Sequence, residues 1–270
     1  MAAMSTPDSW RQAFSSIGNV PVRWLAGWGH IIKFGATVLV LAMSPSSYRG
    51  ANRQAVARHM YLDTAPILGW FTVLCAMLTL VLTRIVVVTA NSYGLSQYAL
   101  EMVIRVLVLE LIPLTAALFV ALRCTIPNGA ALAEMRRIGH FETLRSQGRD
   151  PLVDEALPRV LAGVFSSITL AALSCVVAVV LAYFAVYGVS LAGLPAFTRM
   201  FGHVFDTAVS LIFLLKTLFF SLAVSVIPMA SALYDLEGDG SRESAALQGL
   251  VRMFAVLLVI EAVSLAGNYY

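Results

Sequence analysis

Residues 160–198 read VLAGVFSSITLAALSCVVAVVLAYFAVYGVSLAGLPAFT and contain no Asp, Glu, Lys, Arg or His. About 20 apolar residues of helix cross the hydrocarbon core of a bilayer, so this stretch is long enough to span it. The whole chain agrees, because 59% of its residues are hydrophobic and only 12% are charged. Long uninterrupted apolar runs favour helices over the short alternating strands of a barrel. The sequence therefore predicts an all-α integral membrane protein with one domain over residues 1–270.

Membrane-spanning helices are predicted in the part of the chain after residue 63. An amphipathic pattern with tryptophans precedes them over residues 6–45, and it predicts interfacial or re-entrant helices. A full span over residues 24–43 is the alternative. The predicted bundle of five spans covers residues 64–269, with spans at about 64–90, 97–126, 157–187, 204–233 and 248–269.

Arginines are concentrated in alternate loops. Three lie within residues 49–58, directly before the first span, and four lie between the second and third spans, whereas residues 91–96 carry no charge and residues 188–203 carry one arginine. The positive-inside rule places the arginine-rich loops in the cytoplasm. The amino terminus is therefore predicted inside and the carboxyl terminus outside, and no secretory signal is expected.

We single out six charged residues inside the predicted spans or at their ends, because intramembrane charge indicates function. Three of them are arginines near span ends, where they can reach lipid headgroups. Glu110 is interpreted either as a polar spot facing a cavity, which we favour, or as a buried, neutral or paired carboxylate. For Glu261 we favour the second interpretation, a buried carboxylate that bonds to a neighbouring helix, over a polar spot facing a cavity. The six are Arg84, Arg105, Glu110, Arg123, Lys216 and Glu261.

Several kinds of chemistry are excluded. A phosphate-binding loop ends in Gly-Lys-Ser/Thr, but the only two lysines, Lys33 and Lys216, follow isoleucine and leucine. The histidines lie apart from one another, so neither a metal site nor a hydrolase is expected. The three cysteines, widely spaced in apolar segments, are predicted to be buried packing residues.

Two further patterns carry predictions. Residues 130–148 combine charged side chains with an apolar stripe, which indicates a cytoplasmic amphipathic helix. It either lies on the membrane surface or receives force from a soluble motor. Small residues at four-residue spacing form two ridges in the third span, and we favour packing within the chain over a contact between subunits. The ridges contain Ser167, Ala171 and Cys175, and Ser174, Ala178 and Ala182.

The chain resembles a known family in its second and third spans. The motifs are LELIPL at residues 109–114 and ALR at residues 121–123, followed by PRVLAG at residues 158–163. In this order and spacing they are similar to those of the MlaE/YrbE permeases, membrane subunits of ABC transporters that move lipids with MCE-domain proteins. Ile112 and Leu122 stand where the family has glycines, which marks a divergent member.

The resemblance implies a non-catalytic, homodimeric permease in the bacterial inner membrane. Its partners would be a separate ABC ATPase that binds ATP, a periplasmic MCE-domain protein and membrane lipids, phospholipids foremost, with no nucleic acid. No metal or cofactor is implied in this chain itself. Residues 130–148 would be the coupling helix, and its ATPase-coupling residues would be Glu134, Arg136, Arg137, Phe141 and Arg145. The implied lipid-binding residues are Glu110, Tyr93 and Leu82.

Two other classes of function remain open. A non-transporting scaffold or inactive permease paralogue would use the small-residue ridges and the cytoplasmic helix only to hold partners. An ATP-independent secondary transporter would use Glu110, Arg105 and Glu261 as an ion pathway.

Overall fold

The chain folds into helices joined by short turns. A computed structural model describes residues 27–48, 50–95, 98–234 and 242–269. The predicted interfacial segment before residue 27 and the acidic residues 235–241 lie outside this part. In chain order the helices are α1 (Gly27–Met43), α2 (Ala51–Ser92), α3 (Ala99–Arg137), α4 (His140–Ser146), α5 (Leu152–Tyr187), α6 (Leu194–Val204), α7 (Thr207–Tyr234) and α8 (Arg242–Tyr269). Short 3₁₀ turns at Pro45–Tyr48 and Leu191–Gly193 precede α2 and α6.

Five of the described helices, α2, α3, α5, α7 and α8, are long and apolar enough to cross a membrane. This confirms the predicted all-α membrane fold with five spans. The described part of α1, Gly27–Met43, is apolar. Because the structure describes the chain from Gly27 onward, the interfacial or re-entrant segment and the alternative span over residues 24–43 both stay predictions. Helix α2 has 42 residues and is about 63 Å long, so it extends well beyond the hydrocarbon core.

The middle of the bundle is formed by α3, α5 and α7. Helix α2 packs along α5, and α8 packs along α7. All six small residues of the two ridges on α5 are buried within the chain, which confirms the interpretation that they pack intramolecularly. The three cysteines are also buried and unpaired, as predicted.

Prolines determine the local geometry of α3 and α5. The chain adopts π-helical geometry at Ile104–Leu111, Ala121–Thr125 and Leu152–Ala156, and each segment ends two residues before a proline. The residue preceding that proline donates its N–H to the carbonyl five residues back, as Ile112 does to Leu107. Because proline has no N–H, an α-helical ladder would be broken there in any case. The wider π turn accommodates the break, and the helix continues.

The structure corrects two predicted boundaries. Residues 130–148 are not one helix, since α3 continues to Arg137 and α4 begins at His140 after Gly139, whose φ of 79° is left-handed. A glycine adopts this conformation without steric cost, so the chain turns there. The fourth span begins at Thr207 rather than residue 204, and residues predicted as loop form α6 instead. Asp206 explains this start, because its Oδ1 accepts the N–H of Val209 at 2.8 Å and caps α7.

Candidate functional site

Three charged side chains from three spans meet inside the bundle. Lys216 on α7 is 2% exposed. Its Nζ donates to Glu110 Oε2 on α3 and lies 2.8 Å from Glu261 Oε2 on α8. Asn268 Nδ2 on α8 donates to the other oxygen of Glu110 at 3.4 Å. We call Glu110, Lys216, Glu261 and Asn268 the charge cluster. With all three charged groups ionised, it carries one excess negative charge.

Pro113 helps to position the lysine. Without an N–H, Pro113 leaves the carbonyls four and five residues before it, at Leu109 and Val108, without their usual helical partners. Lys216 Nζ donates to the Leu109 carbonyl at 3.3 Å, and Cys175 Sγ lies 3.5 Å from the Val108 carbonyl. The ammonium is therefore held by a backbone oxygen as well as by two carboxylates. This satisfies its donors in a place that water does not reach.

The charge cluster lies in the half of the bundle that the positive-inside rule places away from the cytoplasm. Lys216 follows the start of α7 by nine residues, about 14 Å at the usual helical rise. Glu261 precedes the end of α8 by eight residues, or about 12 Å. The lysine is also 5.7 Å from the centroid of the Phe220 ring. The cluster is thus a polar spot among apolar side chains, well inside the membrane.

The predicted lipid-binding residues occupy different environments. Glu110 is 8% exposed and paired, so the structure shows the alternative that we favoured less, a buried paired carboxylate. Leu82 is partly buried and packs on the apolar cluster formed by residues 100–112 and parts of α5 and α6. Tyr93 follows the last residue of α2 and is 77% exposed. Glu261 bonds to a neighbouring helix, as predicted.

The predicted ATPase-coupling residues divide into two groups. Phe141 is 5% exposed and packs in the main core. Arg136 Nη1 donates to the Leu233 carbonyl at 2.6 Å, and its guanidinium lies 5.7 Å from the Tyr234 ring centroid. These two residues therefore fasten the segment to the bundle. Glu134, Arg137 and Arg145 are more exposed, and Arg137 Nη2 lies 2.5 Å from Glu134 Oε1.

Polar contacts join the helix ends that the positive-inside rule places in the cytoplasm. Asn128 Nδ2 on α3 donates to Asp63 Oδ2 on α2 at 2.8 Å. Arg159, 7% exposed on α5, donates to Glu155 Oε2 at 2.6 Å, and Glu155 Oε1 lies 3.7 Å from His140 Nε2 on α4. A displacement of α4 would therefore act on α5 through Glu155.

A profile of the family described as Permease MlaE matches residues 56–266. The match covers most of the chain. The chain belongs to the MlaE permease family. It is therefore a multi-pass transporter permease of the ABC class and a non-catalytic membrane subunit. A search of curated proteins found no match to the chain.

Sequence reasoning missed two features of the charge cluster of this MlaE permease: the pairing of Lys216 and the contribution of Asn268. Lys216 was recognised as an intramembrane charge, but it was not connected with Glu110, from which 106 positions separate it. Asn268 gave no signal, since a neutral amide near a span end is common. One signal was available, because a lysine in the middle of an apolar span requires a carboxylate at similar depth on a neighbouring helix.

Proposed function

We propose that the chain is the permease subunit of an ATP-driven transporter that moves lipids, phospholipids foremost, between the inner membrane and an MCE-domain carrier. The observation that carries the proposal is the family match over residues 56–266, a range that includes Glu110, Lys216 and Glu261. The work of such a subunit is a gated change of conformation rather than bond chemistry.

The distribution of polarity supports lipid as the substrate. A lipid has a charged head and long apolar chains, so its route needs apolar walls with few polar groups. The charge cluster supplies the polar groups in the outer half of the bundle. An apolar stripe along α2 runs from Trp70, 69% exposed, through Met77 and Val81 to Val88. In our proposal this stripe, with Leu82 and Tyr93, faces the lipid cavity at a homodimer interface.

The cytoplasmic turn supports an ATPase partner. The sequence has no phosphate-binding loop of its own, so ATP would bind to the partner. Ile138 lies at the turn between α3 and α4 with 65% of its surface exposed, beside the exposed Arg137. Both side chains are accessible to a soluble partner at this turn. We propose that this turn, with Glu134 and Arg145, docks on the ATPase.

Purification of the tagged chain from bacterial inner membrane into nanodiscs tests the proposal. Mass spectrometry should identify an ABC ATPase, an MCE-domain protein and phospholipid, and the chain should be dimeric. Recovery without an ATPase would overturn the proposal in favour of a scaffold. Lipid movement that depended on a proton gradient instead of ATP would favour a secondary transporter.

A pair of variants tests the lipid site. Glu110→Gln should lower ATP-dependent lipid transfer, because it removes the charge that holds Lys216. Glu101→Gln is the matched control, since Glu101 pairs with Arg105 at 3.0 Å on a partly exposed surface near the same end of α3. Equal transfer by the two variants would contradict the assignment of Glu110.

A further inference from the structure

Helix α7 joins the two functional regions of the protein. At its cytoplasmic end it is bound by Arg136, and towards its other end it carries Lys216 of the charge cluster. These contacts lie 17 residues apart, between Lys216 and Leu233, which is about 26 Å along a helix. This distance is most of the thickness of the hydrocarbon core.

The cytoplasmic end of α7 is held by a charged cap. The last carbonyls of a helix have no partners in the helix and carry partial negative charge. Arg136 Nη1 donates a hydrogen bond to the Leu233 carbonyl at 2.6 Å, and its guanidinium also lies over the Tyr234 ring. Both interactions use the same side chain, so they fix the end of α7 to the last turn of α3.

The turns of α7 that precede Leu233 pack closely against α3. Pro228 leaves the Val224 carbonyl without a helical donor, and Thr125 Oγ1 donates to it at 2.6 Å. At Gly129, a Cβ atom would lie only 3.2 Å from the Pro228 carbonyl oxygen. The two backbones are in direct contact there, so the cytoplasmic half of α7 follows any displacement of this part of α3.

The two helices differ along the rest of the path to the charge cluster. Fifteen residues separate Glu110 from Thr125 on α3, and eight separate Lys216 from Val224 on α7. The α3 path includes π-helical turns at Ala121–Thr125 and in Ile104–Leu111, whereas α7 is a continuous α-helix from Thr207 to Tyr234. Interrupted hydrogen-bond ladders bend more easily. Helix α7 is therefore the shorter and more regular path.

We propose that α7 transmits displacement of the cytoplasmic turn to the charge cluster, and that Arg136 is the positioning residue that fastens α7 to the turn. The inference rests on the proposed function, because the ATPase supplies the displacement. Because the π-helical turns of α3 bend, a shift of α7 would not be followed fully by the part of α3 that holds Glu110, and the Lys216 ammonium would move away from Glu110. Glu261 would remain within its reach, since α8 packs along α7. The ion pair would thus open and close with the ATPase cycle.

A spin label on α7 can report this movement. Leu214 is 63% exposed and lies two residues from Lys216, and the buried native cysteines should not react with the label. In the complex with its ATPase in nanodiscs, a spin label attached at Leu214→Cys should give different electron paramagnetic resonance spectra in the nucleotide-free and ATP-vanadate states. Arg136→Ala should lower the equilibrium constant of the ATP-dependent movement about tenfold, the factor expected for loss of a charge-assisted hydrogen bond, and should therefore reduce the spectral change. Arg136→Lys should restore part of it.

Two further variants separate transmission from folding or docking. Tyr234→Leu alters the α7 side of the contact and leaves the cytoplasmic turn intact, so it should also reduce the change even if Arg136→Ala weakens ATPase binding. Arg58→Ala is the matched control, because Arg58 is an exposed arginine on the same side of the membrane, at the start of α2. It should leave the spectral change as in the parent.

The outcomes distinguish this inference from the proposed function. If the parent complex transports lipid with ATP and the label responds equally in Arg136→Ala, Tyr234→Leu and the parent, α7 is not the transmitting element. A label that does not respond in a transporting complex would overturn the inference in the same way. If the parent complex neither binds an ATPase nor transports lipid, the proposed function fails and the inference fails with it.

Discussion

Replacing Lys216 by methionine should destabilise the bundle strongly. Methionine has a similar length and keeps the apolar part of the contact, so the change removes mainly the charge. Lys216 has 1% of its side chain exposed, while Glu110 and Glu261 have 11% and 17%. The substitution therefore leaves two carboxylates close together and almost without water. Removal of one partner from a buried ion pair costs about 3–5 kcal/mol, and we expect about 3 kcal/mol here because Glu261 is partly exposed.

The assay is reversible unfolding in mixed micelles with increasing SDS, followed by circular dichroism. Leu215→Met is the matched control, because Leu215 is the neighbouring residue on α7 and is 43% exposed. A triple variant, with Lys216→Met, Glu110→Gln and Glu261→Gln, should recover most of the lost stability, since no charge remains buried. A loss below about 1 kcal/mol for Lys216→Met alone would refute the reasoning, because it would show that the ion pairs are exposed to solvent.

Three other predictions concern the packing and the topology. Gly163→Ala should lower the free energy of unfolding by about 1–3 kcal/mol, because its Cβ would lie 2.7 Å from a serine hydroxyl on α7. Gly69→Ala is the control and should not lower it, since a Cβ there meets nothing within 4 Å. Equal unfolding curves for the two variants would contradict the contact. Thr125→Val should cost about 1 kcal/mol in the same assay, since it removes the donor to a carbonyl of α7; an unchanged midpoint would argue against that bond. Cysteines at Val189 and Arg145, both exposed, should react with an impermeant maleimide from opposite sides of the membrane, and labelling from one side would overturn the predicted orientation.

The spans could be predicted from the sequence because the bilayer imposes a simple requirement on composition. The uncharged residues 160–198 exceed the length of a span, whereas the orientation that the arginine-rich loops indicate stays a prediction. The boundaries were less accurate where single residues redirect the chain. Asp206 caps α7 and Gly139 turns the chain after α3, and neither residue interrupts the hydrophobic pattern enough to reveal this.

The charge cluster could be predicted only in part. Glu110 and Glu261 were both recognised as intramembrane charges, but burial was the favoured interpretation only for Glu261, whereas Glu110 was expected to face a cavity. Their common partner Lys216 requires knowledge of which helices are neighbours, and periodicity within one helix does not supply it. The same reason explains Arg136, whose contact with the carbonyl of Leu233 joins residues separated by 97 positions.

The π-helical segments make the length of α3 tolerant of change at particular places. A π turn holds more residues than an α-helical turn, so deletion of one residue within Ile104–Leu111 would let the segment rewind as an α-helix. The faces of the helix before and after it would keep their directions. The same holds for Ala121–Thr125. A deletion in the α-helical parts of α3 would instead rotate all later residues by about 100°, and one before Arg136 would turn that residue away from α7. One-residue gaps in alignments of related permeases should therefore collect just before the prolines.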